Sequence, residues 1–279
     1  MNVGEALAWG RERLARLEDA HPGAEAEHLL AALLGRPRAW LYAWPEAPLD
    51  ATVAARFQAW VARRAQGEPL AYLLGRWSFR DLDLEVGPGV LVPRPETETL
   101  VEHALAAFPA EAPVRVLDLG TGSGAIAAAI ARERPGWRVL AGERSPAALA
   151  IARRNFARLA RPPEARLGDW YGVLTAAERF HLILCNPPYV AAGDPHLQRG
   201  ALPFEPREAL VSGPRGLNDL EIVIAGAPPH LEAGGRLLVE HGWDQGATVR
   251  ALLRQAGFSE VATARDLAGI ERVGMGVWP

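Results

Sequence analysis

The chain has 279 residues, 49% hydrophobic and 23% charged, which are the proportions of a globular protein and exclude a disordered, collagen-like or fibrous chain. Thirty basic residues against 33 acidic ones leave a formal charge of −3, which argues against a protein held on nucleic acid by a broad basic surface. A single cysteine cannot form an internal disulfide, so nothing points to an oxidising compartment. All 30 basic residues are Arg, a composition that fits a GC-rich genome, a thermophilic source, or both. The start of the chain is amphipathic and lacks the apolar run of a secretory signal, and no stretch approaches the roughly 20 apolar residues of a membrane span. The expectation is a cytoplasmic protein without a membrane segment.

Residues 1–74 read as a small helical bundle. Leu7, Leu14 and Leu17 recur on one helix face before His21-Pro22-Gly23 breaks the pattern. Leu29, Leu30, Leu33 and Leu34 form the next stripe, and Val53, Phe57, Trp60 and Val61 a third. Residues 75–92 read as a hairpin linker, with Trp77, Phe79, Leu82, Leu84 and Val86 alternating around Arg80-Asp81. A stiff turn, Val92-Pro93-Arg94-Pro95-Glu96, then leads into a helix that Thr97 is placed to cap, with Leu100, Val101 and Leu105 on its buried side.

Residues 93–279 form the larger domain, and from residue 113 strands and helices alternate. Strands are predicted at Val114–Leu119, Trp137–Ala141, His181–Asn186 and Arg236–Glu240, with another just before Gly168. Helices are predicted at Ala125–Arg134, Pro146–Leu159, Leu217–Leu231 and Ala247–Ala256. The chain closes with strands Ser259–Ala264 and Arg272–Trp278 and no helix between them. The pattern is α/β: a mostly parallel sheet with helices on both faces and an antiparallel edge hairpin.

Two motifs carry chemistry. The first is Asp118-Leu119-Gly120-Thr121-Gly122-Ser123-Gly124, a strand running through a glycine turn into a helix. Its glycines let the backbone approach a ligand, although a tight turn without a ligand would use the same residues. The spacing is G-x-G-x-G rather than the G-x-G-x-x-G that receives a dinucleotide pyrophosphate, and it resembles the motif of S-adenosylmethionine-dependent methyltransferases. Glu143, at the end of the next strand, is placed to accept hydrogen bonds from ribose hydroxyls. Asp118 is placed either to orient the loop or to reach the ligand's ammonium group. Asp169 and Trp170, after the third strand, are candidates for the adenine edge and an aromatic wall.

The second motif is Asn186-Pro187-Pro188-Tyr189 at the end of an apolar strand. A residue before proline is held extended, and a second proline stiffens the segment further. The Asn186 side-chain oxygen and the Pro187 carbonyl are two acceptors suited to the two protons of an NH₂ group, and Tyr189 offers a flat surface to a planar substrate. A positioned amide or aromatic amine can then attack an activated methyl group, with no metal and no Ser-His-Asp triad. The motif leaves adenine, guanine and glutamine open as the bearer of that nitrogen. The seven histidines and one cysteine show no zinc-ligand spacing, and Cys185, in a buried strand, reads as packing. Arg153, Arg154, Arg158 and Arg161 read as a solvated helix face.

Taken together, these residues resemble PrmC/HemK-type release factor glutamine methyltransferases over most of the chain. The likeness extends to Gly67-Glu68-Pro69-Leu70-Ala71-Tyr72-Leu73-Leu74-Gly75, Val92-Pro93-Arg94-Pro95-Glu96-Thr97-Glu98, Phe204-Glu205-Pro206, Glu240-His241-Gly242 and Asp266-Leu267-Ala268-Gly269-Ile270-Glu271-Arg272. The resemblance implies a Rossmann-like class I methyltransferase domain with a seven-stranded sheet, preceded by a helical domain that grips a protein substrate. It implies methylation of the glutamine amide nitrogen in the Gly-Gly-Gln motif of bacterial peptide-chain release factors. S-adenosyl-L-methionine would be held by Gly120, Thr121, Gly122, Ser123, Gly124, Glu143, Asp169, Trp170 and Asn186, and released as S-adenosyl-L-homocysteine. The glutamine would be held by Asn186, Pro187, Pro188 and Tyr189. The family commonly has Asp where Glu143 stands. Arg94 and Glu96 are candidates to line the site. The release factor is the expected partner of a monomer with no stable nucleic acid partner and no membrane contact. The alternatives are a nucleic-acid exocyclic-amine methyltransferase and a non-catalytic module that binds a cofactor or partner.

Overall fold

The computed structural model describes residues 1–17 and 20–279. Glu18 and Asp19, inside the predicted helical span, lie outside the described residues. Contacts divide the chain into two units, Met1–Arg76 with Pro195–Phe204, and Trp77–Asp194 with Glu205–Pro279.

Among the described residues up to Arg76, the first unit contains the α-helices α1 (Val3–Leu14), α2 (Pro22–Leu34), α3 (Arg38–Ala43), α4 (Ala51–Ala65) and α5 (Leu70–Leu74). Asn2 starts α1 with a reciprocal cap. Its side chain accepts from the Glu5 N–H at 2.8 Å, and the Glu5 carboxylate accepts from the Asn2 N–H at 2.9 Å. Pro22 opens α2, and Gly35 ends it in the left-handed conformation at φ 62°. Asp50 starts α4 by accepting from Thr52 N–H at 2.7 Å. Leu14, Leu29, Leu30, Phe57 and Val61 meet in one buried cluster, while Leu7, Leu17, Leu33, Leu34, Val53 and Trp60 pack partly buried around it. Each fully buried large apolar side chain contributes about 1.5–3 kcal/mol. An Arg64–Glu25 pair at 2.7 Å joins α4 to α2 inside this bundle.

From Trp77 on, the second unit holds the rest of strand β1 (Arg76–Phe79), its hairpin partner β2 (Leu82–Glu85), and then α6 (Thr97–Ala106). Then come β3 (Arg115–Leu119), α7 (Ala125–Glu133), β4 (Arg138–Glu143), α8 (Pro146–Phe156), β5 (Glu164–Leu167) and β6 (Phe180–Cys185). The chain finishes with α9 (Asn218–Gly226), β7 (Leu231–Glu240), α10 (Gly246–Gln255), β8 (Ser259–Arg265) and β9 (Glu271–Val277). The large sheet has seven strands in the order β5-β4-β3-β6-β7-β9-β8. β3 to β7 pair in parallel, and β9 is antiparallel to both β7 and β8.

Alternation along the central strands splits the core into two layers. Val116, Leu182 and Leu184 face a cluster with α6, α7 and the hairpin residues Phe79, Leu82 and Leu84. Leu117, Leu119, Ile183 and Cys185 face the opposite cluster with α9 and α10. Cys185 is packing here, as expected: it is fully buried, its Sγ donates to the Leu119 carbonyl at 3.2 Å, and burial pushes its thiol pKa up.

Two local expectations are corrected. The predicted helix Leu217–Leu231 stops at Gly226, because Pro228 and Pro229 cannot supply the N–H groups of another turn, and Leu231 already begins β7. Thr97 does not cap α6. Glu96 holds that position in helical geometry with no side-chain cap bond, and Thr97 is the first helical residue, its side chain buried.

Candidate active site

Strand register assembles the site. Leu119 of β3 pairs with Gly142 of β4 and with Cys185 of β6. The next residues along each strand, Gly120, Glu143 and Asn186, therefore leave three neighbouring strands at the same end of the sheet. The chain runs outward from β3 to β4 and β5 on one side and to β6 and β7 on the other. That reversal of order opens a crevice at the carboxyl ends of the strands, where open α/β sheets bind ligands.

Gly120 and Thr121 donate their N–H groups to the Gly142 carbonyl at 2.9 and 3.0 Å. Gly120, Gly122 and Gly124 all have positive φ, at 69°, 58° and 86°, which L side chains rarely adopt. The Glu143 carboxylate accepts from Gly122 N–H at 2.9 Å and from Ser145 N–H at 2.8 Å. It is buried, and each oxygen keeps a lone pair for a further donor. Beneath the loop, one Asp118 oxygen accepts from the Thr121 hydroxyl at 2.5 Å and from Ala127 N–H at 3.2 Å. Asp118 thus ties the glycine loop to the start of α7. Burial pushes its pKa up to about 7.

A cavity of about 970 Å³, partly open to solvent, lies over these groups. Of the residues singled out from sequence, Gly120, Thr121, Gly122, Ser123, Glu143, Asp169, Trp170, Asn186 and Pro188 line it, and so does Arg94. Trp170 has φ 40°, a strained conformation for a bulky residue, and its ring lies beside Gly120. Gly124, Pro187, Tyr189 and Glu96 are not among the lining residues. Gly124 packs against Phe156, where a Cβ would come within 2.6 Å of the ring. Tyr189 turns its hydroxyl inward to the Glu240 carboxylate at 3.2 Å.

Several lining or supporting residues were not legible as such from local spacing. The Asn186 side-chain NH₂ donates to the Thr97 hydroxyl at 3.1 Å, which leaves the amide oxygen as its remaining polar atom. Arg94 pairs with Glu205, whose side chain is fully buried and also accepts from Val92 N–H at 3.1 Å. Arg144 reaches the Glu208 carbonyl at 3.0 Å, drawing the segment around Pro206 and Glu208 over the cavity. Gln245 Nε2 donates to the carbonyls of Tyr189 at 3.0 Å and Gly216 at 3.2 Å. Gly216 has φ 71°, and a Cβ there would lie 2.2 Å from the Tyr189 carbonyl oxygen. The residue pairs Phe204-Glu205 and Glu240-His241 were the available signals for this support, but no spacing rule links them to Asn186.

The site can therefore offer a flat, glycine-lined floor, a buried carboxylate with free lone pairs, and an oriented amide on the neighbouring strand. A sequence model of the PrmC N-terminal domain family matches residues 5–75, and one of the methyltransferase small domain family matches residues 96–201. The chain is 51% identical over 274 residues to a release factor glutamine methyltransferase of Xylella fastidiosa, covering 98% of this chain and 97% of that protein. It is 51% identical over 255 residues to a release factor glutamine methyltransferase of Pseudomonas aeruginosa, covering 91% and 92%. Among solved structures, the Thermus thermophilus 16S rRNA N2 G1207 methyltransferase in complex with AdoMet and guanosine shares the fold, with a TM-score of 0.55, 20% identity, and coverage of 73% of this chain and 50% of that one. No helix among the described residues is long and apolar enough to cross a membrane. With near-complete coverage of its relatives at half identity, the chain belongs to the release factor glutamine methyltransferase family.

Proposed function

We infer that this chain transfers a methyl group from S-adenosyl-L-methionine to the side-chain amide nitrogen of the Gly-Gly-Gln glutamine in a peptide-chain release factor. The observation that carries the reading is the placement of Asn186 beside the glycine loop and Glu143 in one cavity, in a chain half identical to relatives that bear this name.

The cavity residues fit the cofactor. Glu143 keeps lone pairs for a ribose diol, Gly120 and Gly122 leave backbone in place of side-chain bulk, and Asp169 and Trp170 supply an acceptor and a flat face for a nucleobase. When bound, the sulfonium supplies an activated methyl group and a good leaving group. The protein's own contribution is positioning. The Asn186 Oδ1 and the Pro187 carbonyl accept the two N–H bonds of the glutamine amide, fix its nitrogen and favour pyramidalisation as it attacks. Pro188 stiffens the segment, and Tyr189, braced by Glu240, backs it. The extra proton leaves once the methylated nitrogen has become strongly acidic. The helical residues 1–74 serve to grip the release factor, and residues 75–92 join them to the methyltransferase domain at 93–279. The enzyme acts as a cytoplasmic monomer with no stable nucleic acid partner, in keeping with its net charge of −3.

The test is transfer of labelled methyl from S-adenosyl-L-methionine to a purified release factor with its Gly-Gly-Gln glutamine intact or changed to alanine. Label on the intact protein alone supports the reading. Label on neither, or on RNA or DNA in parallel assays, overturns it.

A further inference from the structure

We propose that Gln245 is a positioning residue: it holds the carbonyl of Tyr189 and so sets where the Asn186–Tyr189 segment lies at the site. The proposal rests on the reading that this segment holds the amide NH₂ that is methylated. Gln245 is not among the residues lining the cavity, so its effect on methyl transfer passes through the segment it holds.

The segment needs an outside hold at its far end. Pro187 and Pro188 have no N–H, so no backbone donor can fix its middle. Its near end continues β6, whose Cys185 pairs with Leu119 and Val239, and Asn186 Nδ2 donates to the Thr97 hydroxyl at 3.1 Å. Beyond Tyr189, Val190 N–H donates to the Leu210 carbonyl and Ser212 N–H to the Val190 carbonyl, each at 2.9 Å. Those bonds join two stretches of the same excursion from the sheet, and the two can shift together. Gln245 references both to the sheet. It stands at the start of α10, just past β7, where its N–H bonds the Gly242 carbonyl at 3.0 Å and its carbonyl receives Val249 N–H at 2.9 Å. From there Nε2 donates to the Tyr189 carbonyl at 3.0 Å and to the Gly216 carbonyl at 3.2 Å, while Oε1 accepts from Gly242 N–H at 2.8 Å.

All three partners are backbone groups of fixed role: an N–H only donates and a carbonyl only accepts. They therefore agree on one orientation of the Gln245 amide, and the flipped amide would set its oxygen against two carbonyls. The space around the bracket is filled. A Cβ on Gly216 would lie 2.2 Å from the Tyr189 oxygen and 3.0 Å from Gln245 Nε2, so the carbonyl has no room to settle closer to Gly216.

The experiment separates the two halves of the Gln245 amide. Gln245→Glu keeps the acceptor for Gly242 and loses both donors. Gln245→Lys keeps a donor for the carbonyls and loses the acceptor, and Gln245→Met loses both. Kinetics on a release factor, S-adenosyl-L-homocysteine affinity by calorimetry and melting temperature are read together. The Tyr189 carbonyl is read by NMR with ¹³C-carbonyl tyrosine and ¹⁵N valine, because Tyr189-Val190 is the one Tyr-Val pair in the chain. Gln245→Glu is expected to lower kcat/KM about tenfold or more, with product affinity within about threefold, and to move the Tyr189 carbonyl resonance upfield as its donors are lost. Gln245→Lys should stay within about threefold of the parent. A residue that merely braced the Gly242 turn would give the opposite order. Parent-like kinetics or an unmoved carbonyl resonance in Gln245→Glu, or a loss in Gln245→Lys as large as in Gln245→Glu, would overturn the proposal. If Gln245→Glu fails to fold, Gln245→Met against Gln245→Lys decides, since those two differ in the donor alone, and equal activity in both overturns it. If the parent enzyme does not methylate the release factor while the resonance moves as expected, the substrate reading falls and the hold of Gln245 on the segment stands.

Discussion

The Glu143 carboxylate accepts a hydrogen bond from the Gly122 amide at 2.9 Å, which ties the end of β4 to the glycine loop that follows β3. One side chain thus shapes the floor of the cavity and presents its acceptors to it. Glu143→Ala should weaken S-adenosyl-L-methionine binding by about 10- to 100-fold, since a hydrogen bond to a charged group is worth about 1.5–3 kcal/mol. Isothermal titration calorimetry measures this directly. Glu143→Gln, which can accept one of the two backbone N–H bonds but not both, should fall between the two.

Asp118 should give the fold a distinctive pH dependence. Its pKa rises from 3.8 unfolded to about 7 in the folded state because it is buried. A raised folded pKa means that the folded chain holds a proton which the unfolded chain releases. The stabilising contribution is therefore fully present below about pH 4 and is lost as pH rises through about 7. Urea denaturation of the parent should show a loss of about 1–3 kcal/mol between pH 5 and pH 8 that Asp118→Asn lacks. Equal pH profiles for the two proteins would rule the assignment out. Glu240, also raised to about 7 by burial, adds a contribution of the same sign.

Arg94 and Glu205 form an ion pair in which the carboxylate is buried and the guanidinium is a third exposed. Arg94→Ala strands a buried charge and should destabilise the protein by about 2–4 kcal/mol, read as a lower urea midpoint. The double variant Arg94→Met with Glu205→Gln should recover part of that loss, because no charge is then left unpaired.

Gly216 sits against the carbonyl of Tyr189, and a Cβ there would come within 2.2 Å of that oxygen. Gly216→Ala should displace the Asn186–Tyr189 segment and lower methyl transfer by about tenfold or more, since small misplacements are costly in positioned reactions. Cofactor affinity, set mainly on β3 and β4, should change much less. Calorimetry alongside the transfer assay separates the two effects.

The fold was largely legible from the sequence because its signals are local. The apolar runs read as strands at Val114–Leu119 and His181–Asn186, and the break at His21-Pro22-Gly23, depend on neighbouring residues and recur in the structure as elements of the expected type. Where a local signal was ambiguous, the structure departed from it. Thr97 has the chemistry of a helix cap, but Glu96 holds the cap position, Thr97 is already helical, and its hydroxyl accepts from Asn186, 89 residues away in sequence. Likewise the apolar run from Leu217 to Leu231 has helical character, but the paired prolines end it.

By itself, the sequence determined the α/β order, the glycine loop, the acid at Glu143 and the Asn-Pro-Pro-Tyr segment, because spacing within a few residues specifies a turn or a strand end. Only the tertiary structure decided which groups support them. The register of β3 with β4 and β6 brings Gly120, Glu143 and Asn186 together. Burial raises the pKa of Asp118 and Glu240, the Tyr189 hydroxyl meets the Glu240 carboxylate, and the Thr97 hydroxyl meets the Asn186 amide. Those relations depend on distances between residues far apart in the chain and on the exclusion of water, and neither is written in local spacing.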